Sequence, residues 1–394
     1  MPKTSAVLDS TRVFSPDTPT ATAPRVGAPT GRSSELDGLR GLAIALVLWH
    51  HLAETALPPI RESWLGWVRT ASNLSWCGVD LFFVLSGFFI GGILIDRRDS
   101  PRLTRIFYLR RALRILPLYY VTLGCVLALH AMGVAGSFQL FPAWVYGLFL
   151  TNFALAGGHT WDWLPLSVLW SLAVEEQFYL LAPWLIRLLS PARLPWFAAG
   201  VALLAWALRL ALLGWRPSGH FAAQVLMPLR MDALALGLLV AWAVRSDAAR
   251  PCFVVLAARW KHFLALGLAG LAFLALQRPS AGDATLCAYG YTLLAIFFAL
   301  LVAIVAEVRP PALCRALAWR PLAHLGRHSY FVYLWHAVIG VGVIQWLGGP
   351  HFRLDSPTAF GVVALGVAAT WGAAAISWKF FEGPLVAWGQ RQSY

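Results

Sequence analysis

From residue 34 onward the chain alternates apolar runs of about 20 residues with short polar stretches, the length at which a helix crosses a bilayer. The pattern predicts ten spans, at 38–57, 78–95, 115–135, 167–189, 195–214, 225–244, 262–277, 286–306, 329–347 and 358–379. An eleventh apolar stretch, 141–156, would be ~24 Å long as a helix, short of a hydrocarbon core of ~30 Å. It also carries Pro142, Gly147 and Asn152.

The basic residues decide how that stretch is counted. If it does not cross and the N-terminus is cytoplasmic, 24 basic residues fall on the cytoplasmic side and five outside. Counting it as a crossing moves the loops 245–261 and 309–327, with four basic residues each, to the outside, and most of the bias disappears. The expected fold is therefore all-α: a polytopic integral membrane helical bundle of ten transmembrane helices, plus a re-entrant or half-buried helix at 141–156. Both termini are expected in the cytoplasm. Residues 1–33, rich in Ser, Thr, Pro and Ala, read as a disordered cytoplasmic tail without the apolar segment of a signal peptide. Residues 34–385 read as one membrane-embedded domain and 386–394 as a short cytoplasmic tail, with no second domain expected.

Composition agrees with this outline. The chain is 59% hydrophobic and 12% charged, too apolar for a large soluble enzyme. Its net charge is +13, and 28 of its 31 basic residues are arginine. Because these arginines fall between apolar runs, the partner they indicate is the lipid bilayer rather than nucleic acid. The five cysteines form no paired or metal-ligand spacing, so they read as packing residues and no metal is expected.

Ionisable groups inside apolar spans are costly and mark function. In the first span Arg40 and His51 are eleven residues apart, nearly three helical turns, so they share a face with ~16 Å of axial rise between them. His50 is turned about 80° away. The second span carries Asp80, read either as a cap or as functional, and Ser86-Gly87, read as close packing or as a hydrogen bond across a helix contact. In the arginine-rich stretch 97–114, Arg111 and Arg114 share a helical face and suit either phosphate or anionic headgroups. The fourth span places Ser171, Glu175 and Tyr179 on one stripe, with Glu176 turned away. Glu175 suits either an imidazole partner or an ion pair with Arg209 or Arg230. Arg230 and Asp232 suggest a buried charge pair, and Ser329, Tyr333 and His336 line one side of the ninth span. His336 reads as structural or functional, and His130 as structural.

Seven runs, taken in order, resemble the membrane-bound acyltransferase family 3 of bacteria. They are Leu36 to His51, Gly78 to Ile90, Tyr108 to Tyr120, Trp170 to Pro183, Arg230 to Gly237, Ser329 to His336 and Phe380 to Pro384. The resemblance implies ten core helices in the cytoplasmic (inner) membrane. It also implies acyl-CoA, usually acetyl-CoA, as donor substrate and a hydroxyl of a glycan, glycolipid or secondary metabolite as acceptor. It makes Arg40 and His51 the essential pair and Glu175 the family's glutamate.

The expected chemistry follows from needing a base and charge stabilisation when an alcohol attacks a thioester. His51 is the expected base, Glu175 its orienting partner, and Arg40, Arg111 and Arg114 the phosphate-holding residues. Asp80, Ser86, Ser171, Glu176, Arg230, Asp232, Tyr333 and His336 are expected to support the site or touch substrate. The favoured acceptor is a cell-surface polysaccharide or glycolipid. The alternatives are a macrolide-like metabolite as acceptor, or a proton-coupled glycan transporter.

Overall fold

The computed structural model describes residues 33–58, 64–134, 138, 140–158, 160–216, 219–277, 283–349 and 351–394. The expected tail, apart from Ser33, lies outside the described residues, as do Arg61 and Arg278 of the loops expected outside the cell. Among the described residues every regular element is helical.

Helix α1 (Ser34–Leu52) starts where Ser33 Oγ accepts the Leu36 amide at 3.3 Å, with Glu35 and Asp37 in the electropositive first turn. A short α2 (Leu65–Ala71) leads to α3 (Gly78–Asp96). Helix α4 (Leu103–Ala131) begins well before the expected residue 115 and takes most of the arginine-rich stretch into the helix. Its 29 residues make it ~43 Å long, so its basic first turns exceed a hydrocarbon core of ~30 Å.

The 141–156 stretch breaks into α5 (Ala143–Gly147) and α6 (Thr151–Gly158), separated by Phe149 in the left-handed region at φ 56°. Neither piece is long enough to cross a bilayer. A single turn, α7 (Leu164–Ser167), precedes α8 (Leu169–Leu188), followed by α9 (Leu194–Trp215), α10 (His220–Val225), α11 (Met227–Ala243) and α12 (Arg250–Leu276). Helix α6 packs against α8 and α10, and Asn152 and Gln177 join α6 to α8 through side-chain hydrogen bonds of 3.0 and 3.2 Å. Then come α13 (Tyr291–Ala303), α14 (Pro311–Leu317), α15 (Arg320–Arg327), α16 (Ser329–Trp335), α17 (Val341–Gly348), α18 (Pro357–Ser377) and α19 (Gly383–Arg391).

Eight helical stretches among the described residues are long and apolar enough to cross a membrane, which makes this an integral membrane protein. By length and hydropathy, eight of the ten expected spans are met among the described residues. The two expected spans that fall short are α1, with Glu35, Asp37 and Arg40, and α8, with Glu175, Glu176 and Arg187. The charges that make these helices interesting are what lowers their hydropathy.

The C-terminal residues also depart from expectation. Helix α19 runs past residue 385 to Arg391 and packs on α4, and the Arg110 guanidinium lies 4.6 Å from the Tyr394 ring centre. Residues 386–391 of the stretch expected as a short tail thus belong to a helix packed on α4.

Helix α3 is the centre of the bundle and packs against α1, α8, α11 and α13. Its contact with α11 brings the two backbones together at Gly87 and Gly237. A Cβ at Gly87 would lie 2.0 Å from the Leu234 carbonyl oxygen, and one at Gly237 would lie 2.1 Å from that of Val84. Small residues allow this approach where lipid offers no hydrophobic drive between helices. Gly237→Val is expected to cost about 3 kcal/mol or more through a backbone clash that rotamers do not relieve. Detergent-solubilised thermal melting tests this; a monodisperse variant with an unchanged midpoint would contradict the packing.

Candidate functional site

Two cavities meet at the interface of α1, α3, α8 and α16. The smaller, of about 90 Å³, is lined by Arg40, Arg111, Arg114, Glu175 and Glu176, with Ser86, Ser171, Tyr179 and Ser329. The larger, of about 1100 Å³, contains His50, His51, Glu54, Asp80 and Arg230 along with several aromatic residues. Val79 and Tyr333 line both and form the wall between them. The two ends of the Arg40–His51 face thus open onto different spaces, as expected for groups ~16 Å apart along one helix.

In the arginine-lined cavity, α8 presents the predicted stripe. Ser86 Oγ donates to Glu175 Oε1 at 2.7 Å, and the Tyr179 hydroxyl lies 2.9 Å from Oε2 and 3.0 Å from Ser86 Oγ. Four residues above Glu175's turn, Ser171 Oγ lies 2.6 Å from the Tyr333 hydroxyl, which also reaches the Val168 carbonyl at 3.0 Å. The Arg111 guanidinium sits 5.5 Å from the Tyr179 ring centre, and that of Arg40 sits 4.1 Å from the centre of the Phe89 ring. Arg40 also pairs with Asp37 at 3.7 Å. Glu176, 100° round the helix from Glu175, lines the same cavity.

The His51 chamber is organised by a second histidine. His336 begins a π-helical turn (His336–Gly340) between α16 and α17 and is fully buried. Its Nδ1 lies 2.7 Å from the Tyr333 carbonyl oxygen. A carbonyl only accepts, so Nδ1 carries the proton and, in the neutral ring, Nε2 is an acceptor. His51 Nδ1 lies 3.2 Å from that Nε2 and 3.1 Å from the Val47 carbonyl. Both neighbours accept, so His51 is protonated on Nδ1 and keeps its lone pair on Nε2. That is the tautomer a general base at Nε2 needs.

This geometry corrects one expectation. The side chain hydrogen-bonded to His51 is His336, while both carboxylate oxygens of Glu175 bond Ser86 and Tyr179. His50 is distinct: its Nδ1 lies 3.1 Å from Glu54 Oε2, and Glu54 also accepts from Ser75 Oγ. Glu54 escaped notice in the sequence, although its i, i+4 spacing from His50 was available as a signal.

The charge pairing also differs from expectation. Arg230 bonds Asp80 across α3 and α11, and Arg209 of α9 bonds Asp232 at 2.6 Å. Arg230 and Asp232 are two residues apart on one helix and so point ~200° apart, which rules out the pair read from the sequence. Both arginines are taken by aspartates, leaving neither for Glu175. All four groups are at most 2% exposed. His130 is not among the residues lining either cavity. All five cysteines are free thiols, and the described residues contain no cluster suited to a metal ion.

Comparison with known proteins places this geometry in context. The chain is 28% identical over 380 residues to the peptidoglycan O-acetyltransferase OatA of Listeria monocytogenes, covering 89% of this chain and 55% of that protein. It is 26% identical over 380 residues to the O-acetyltransferase OatA of Staphylococcus aureus (89% and 56%). It is 29% identical over 397 residues to the putative peptidoglycan O-acetyltransferase YrhL of Bacillus subtilis (90% and 55%). The chain therefore spans about half the length of the curated relatives it matches. No solved structure matches it. The family model described as an acyltransferase domain matches residues 33–378, nearly the whole helical bundle, and the chain belongs to that acyltransferase family.

Proposed function

We propose that this protein is a membrane-bound O-acyltransferase that moves an acyl group, most simply acetyl, from acyl-CoA to a hydroxyl of a cell-surface polysaccharide or glycolipid. The observation that carries the reading is the pair of cavities sharing the Tyr333–Val79 wall, one rich in arginine and the other built around His51. An anionic donor suits the first and a neutral alcohol the second. The relatives named as peptidoglycan O-acetyltransferases support a glycan acceptor.

In this reading α1 and α8 complete a set of ten spans, their charges sheltered by neighbouring helices, and both termini face the cytoplasm. The bias of basic residues supports that orientation. The arginine-lined space of about 90 Å³ takes the acyl-thioester end of the donor. Arg40, Arg111 and Arg114 hold the nucleotide phosphates at its mouth, where guanidinium groups bind phosphate oxygens in a fork. Glu175, bonded to Ser86 and Tyr179, shapes the wall of that space.

The acceptor hydroxyl gives its proton to His51 Nε2 as its oxygen attacks the thioester carbonyl. The tetrahedral oxyanion collapses, the new ester forms, and the carbon–sulfur bond breaks. The thiolate leaves as coenzyme A and takes up the proton that His51 gained. While His51 is charged, its Nδ1–H points at the neutral His336 Nε2, which holds the ring and accepts part of the charge, the role a carboxylate plays in other triads.

Two outcomes are expected. His51→Ala should lower acyl transfer from acetyl-CoA by roughly 100-fold or more, the usual worth of a positioned base. His336→Ala should cost less than His51→Ala, since the base survives without its orienting partner. Steady-state transfer by purified protein measures both, and wild-type rates in His51→Ala would reject the assignment. Arg111→Ala and Arg114→Ala should each raise the KM for acetyl-CoA by about 10-fold or more, the loss of a charge-assisted hydrogen bond. A KM unchanged in both would move the donor elsewhere.

A further inference from the structure

The wall between the two cavities is held from several sides. Val79 and Tyr333 line both spaces, and Phe82 lines the smaller one beside them. The Tyr333 hydroxyl is tied to Ser171 and to the Val168 carbonyl, and its ring meets that of Phe82 edge-on at 6.1 Å. One residue before Val79, α3 lies so close to α1 that a Cβ at Gly78 would come within 2.4 Å of the Ala43 carbonyl oxygen. The Tyr330 hydroxyl donates to the Ile115 carbonyl at 2.8 Å and pins α16 to α4. Val79 and Phe82 each pack against both of the large apolar clusters of the bundle. Close-packed interiors transmit displacement, so a wall that joins two clusters yields little.

The smaller cavity changes character along its length. On α3 its lining residues Val79, Phe82, Phe83 and Ser86 follow one helical stripe. Val79 and Ser86 are separated by ~10 Å of helical rise. At the Ser86 level the lining is polar, because Ser86 meets Glu175 and Tyr179 of α8. One turn nearer the wall, α8 contributes Leu172 and Ser171, and the Ser171 hydroxyl is already bonded to Tyr333. The end of the cavity is therefore bounded by Val79, Phe82, Leu172 and the Tyr333 ring. The whole space is about 90 Å³, three times the ~30 Å³ that one water takes up in the liquid. A thioester sulfur and a very short acyl group use that space up.

A group that fits this end is apolar at its tip and only a few atoms long. We infer that Val79, Phe82 and Tyr333 form a size filter, which admits the acetyl group of a thioester donor and turns away acyl groups of four carbons or more. One extra methylene in an apolar pocket is worth roughly 10-fold to 200-fold in discrimination. Val79 is the residue on which the filter turns, since it faces both cavities and can be resized without breaking a side-chain hydrogen bond. This rests on the reading of the smaller cavity as the donor side.

The test measures binding to the full chain in lipid nanodiscs by isothermal titration calorimetry, with empty nanodiscs as the blank. The probes are coenzyme A and its non-hydrolysable acetyl and butyryl analogues, in which a methylene replaces the thioester sulfur. Wild type is expected to bind the acetyl analogue about 10-fold or more tightly than the butyryl one. Val79→Ala should tighten the butyryl analogue by about 10-fold, and Val79→Leu should weaken the acetyl analogue. Phe82→Leu is a second enlarging variant, expected to act in the same direction as Val79→Ala. Coenzyme A itself, which carries no acyl group, reports whether each variant still forms the donor site. Equal affinity of wild type for the two acyl analogues, or an unchanged ratio between them in both Val79→Ala and Phe82→Leu, would overturn the filter and leave the donor reading standing. Wild type that binds neither coenzyme A nor its analogues would overturn the donor reading, and the filter with it.

Discussion

A charge buried between lipid-facing helices has no water to fall back on, so it must find its partner within the protein. The architecture follows from how that requirement is met. Two ion pairs tie α11 to its neighbours: Arg230 to Asp80 on α3, and Asp232 to Arg209 on α9. Glu175 is hydrogen-bonded by two hydroxyls, with Arg40 and Arg111 lining the same cavity, and His51 by a second imidazole. Because these solutions differ, the polar seam is divided. One end carries three arginines and two glutamates, the other two arginines and three acids, with Tyr333 and Val79 between them.

That division bears directly on chemistry. A group transfer between a water-soluble anionic donor and a glycan requires the two substrates to meet without either mixing with lipid. In the proposed transfer the two substrates meet at a wall that holds the Tyr333 hydroxyl, itself bonded to Ser171 and the Val168 carbonyl. The close α3–α11 contact at Gly87 and Gly237 matters for the same reason. It fixes Asp80 and Arg230 at one height and Ser86 at another, so both cavities depend on a single helix interface.

Periodicity made part of this legible. The stripe of Ser171, Glu175 and Tyr179 is a property of one helix and lines one cavity, whereas Arg40 and His51, both on α1, line different ones. The failures are tertiary or conformational. Nothing local pairs His51 with His336, 285 positions away, or Arg230 with Asp80, 150 positions away. The break in 141–156 turns on a phenylalanine in the left-handed region, which no composition signals. Eight of the ten expected spans have the length and hydropathy of a crossing, and α1 and α8 fall short because they trade apolar residues for charges. Glu54 lies within the span expected at 38–57, and only the structure, which ends α1 at Leu52, shows it turned back onto His50 and Ser75.

The claim at the centre is that donor and acceptor approach the Tyr333 wall from opposite cavities. The most direct measurement is a structure of the chain in a nanodisc with a non-hydrolysable acetyl-CoA analogue bound. The account predicts its phosphates against Arg40, Arg111 and Arg114 and its acyl end at Tyr333. A nucleotide found inside the His51 chamber, or on the lipid-facing surface, would contradict it.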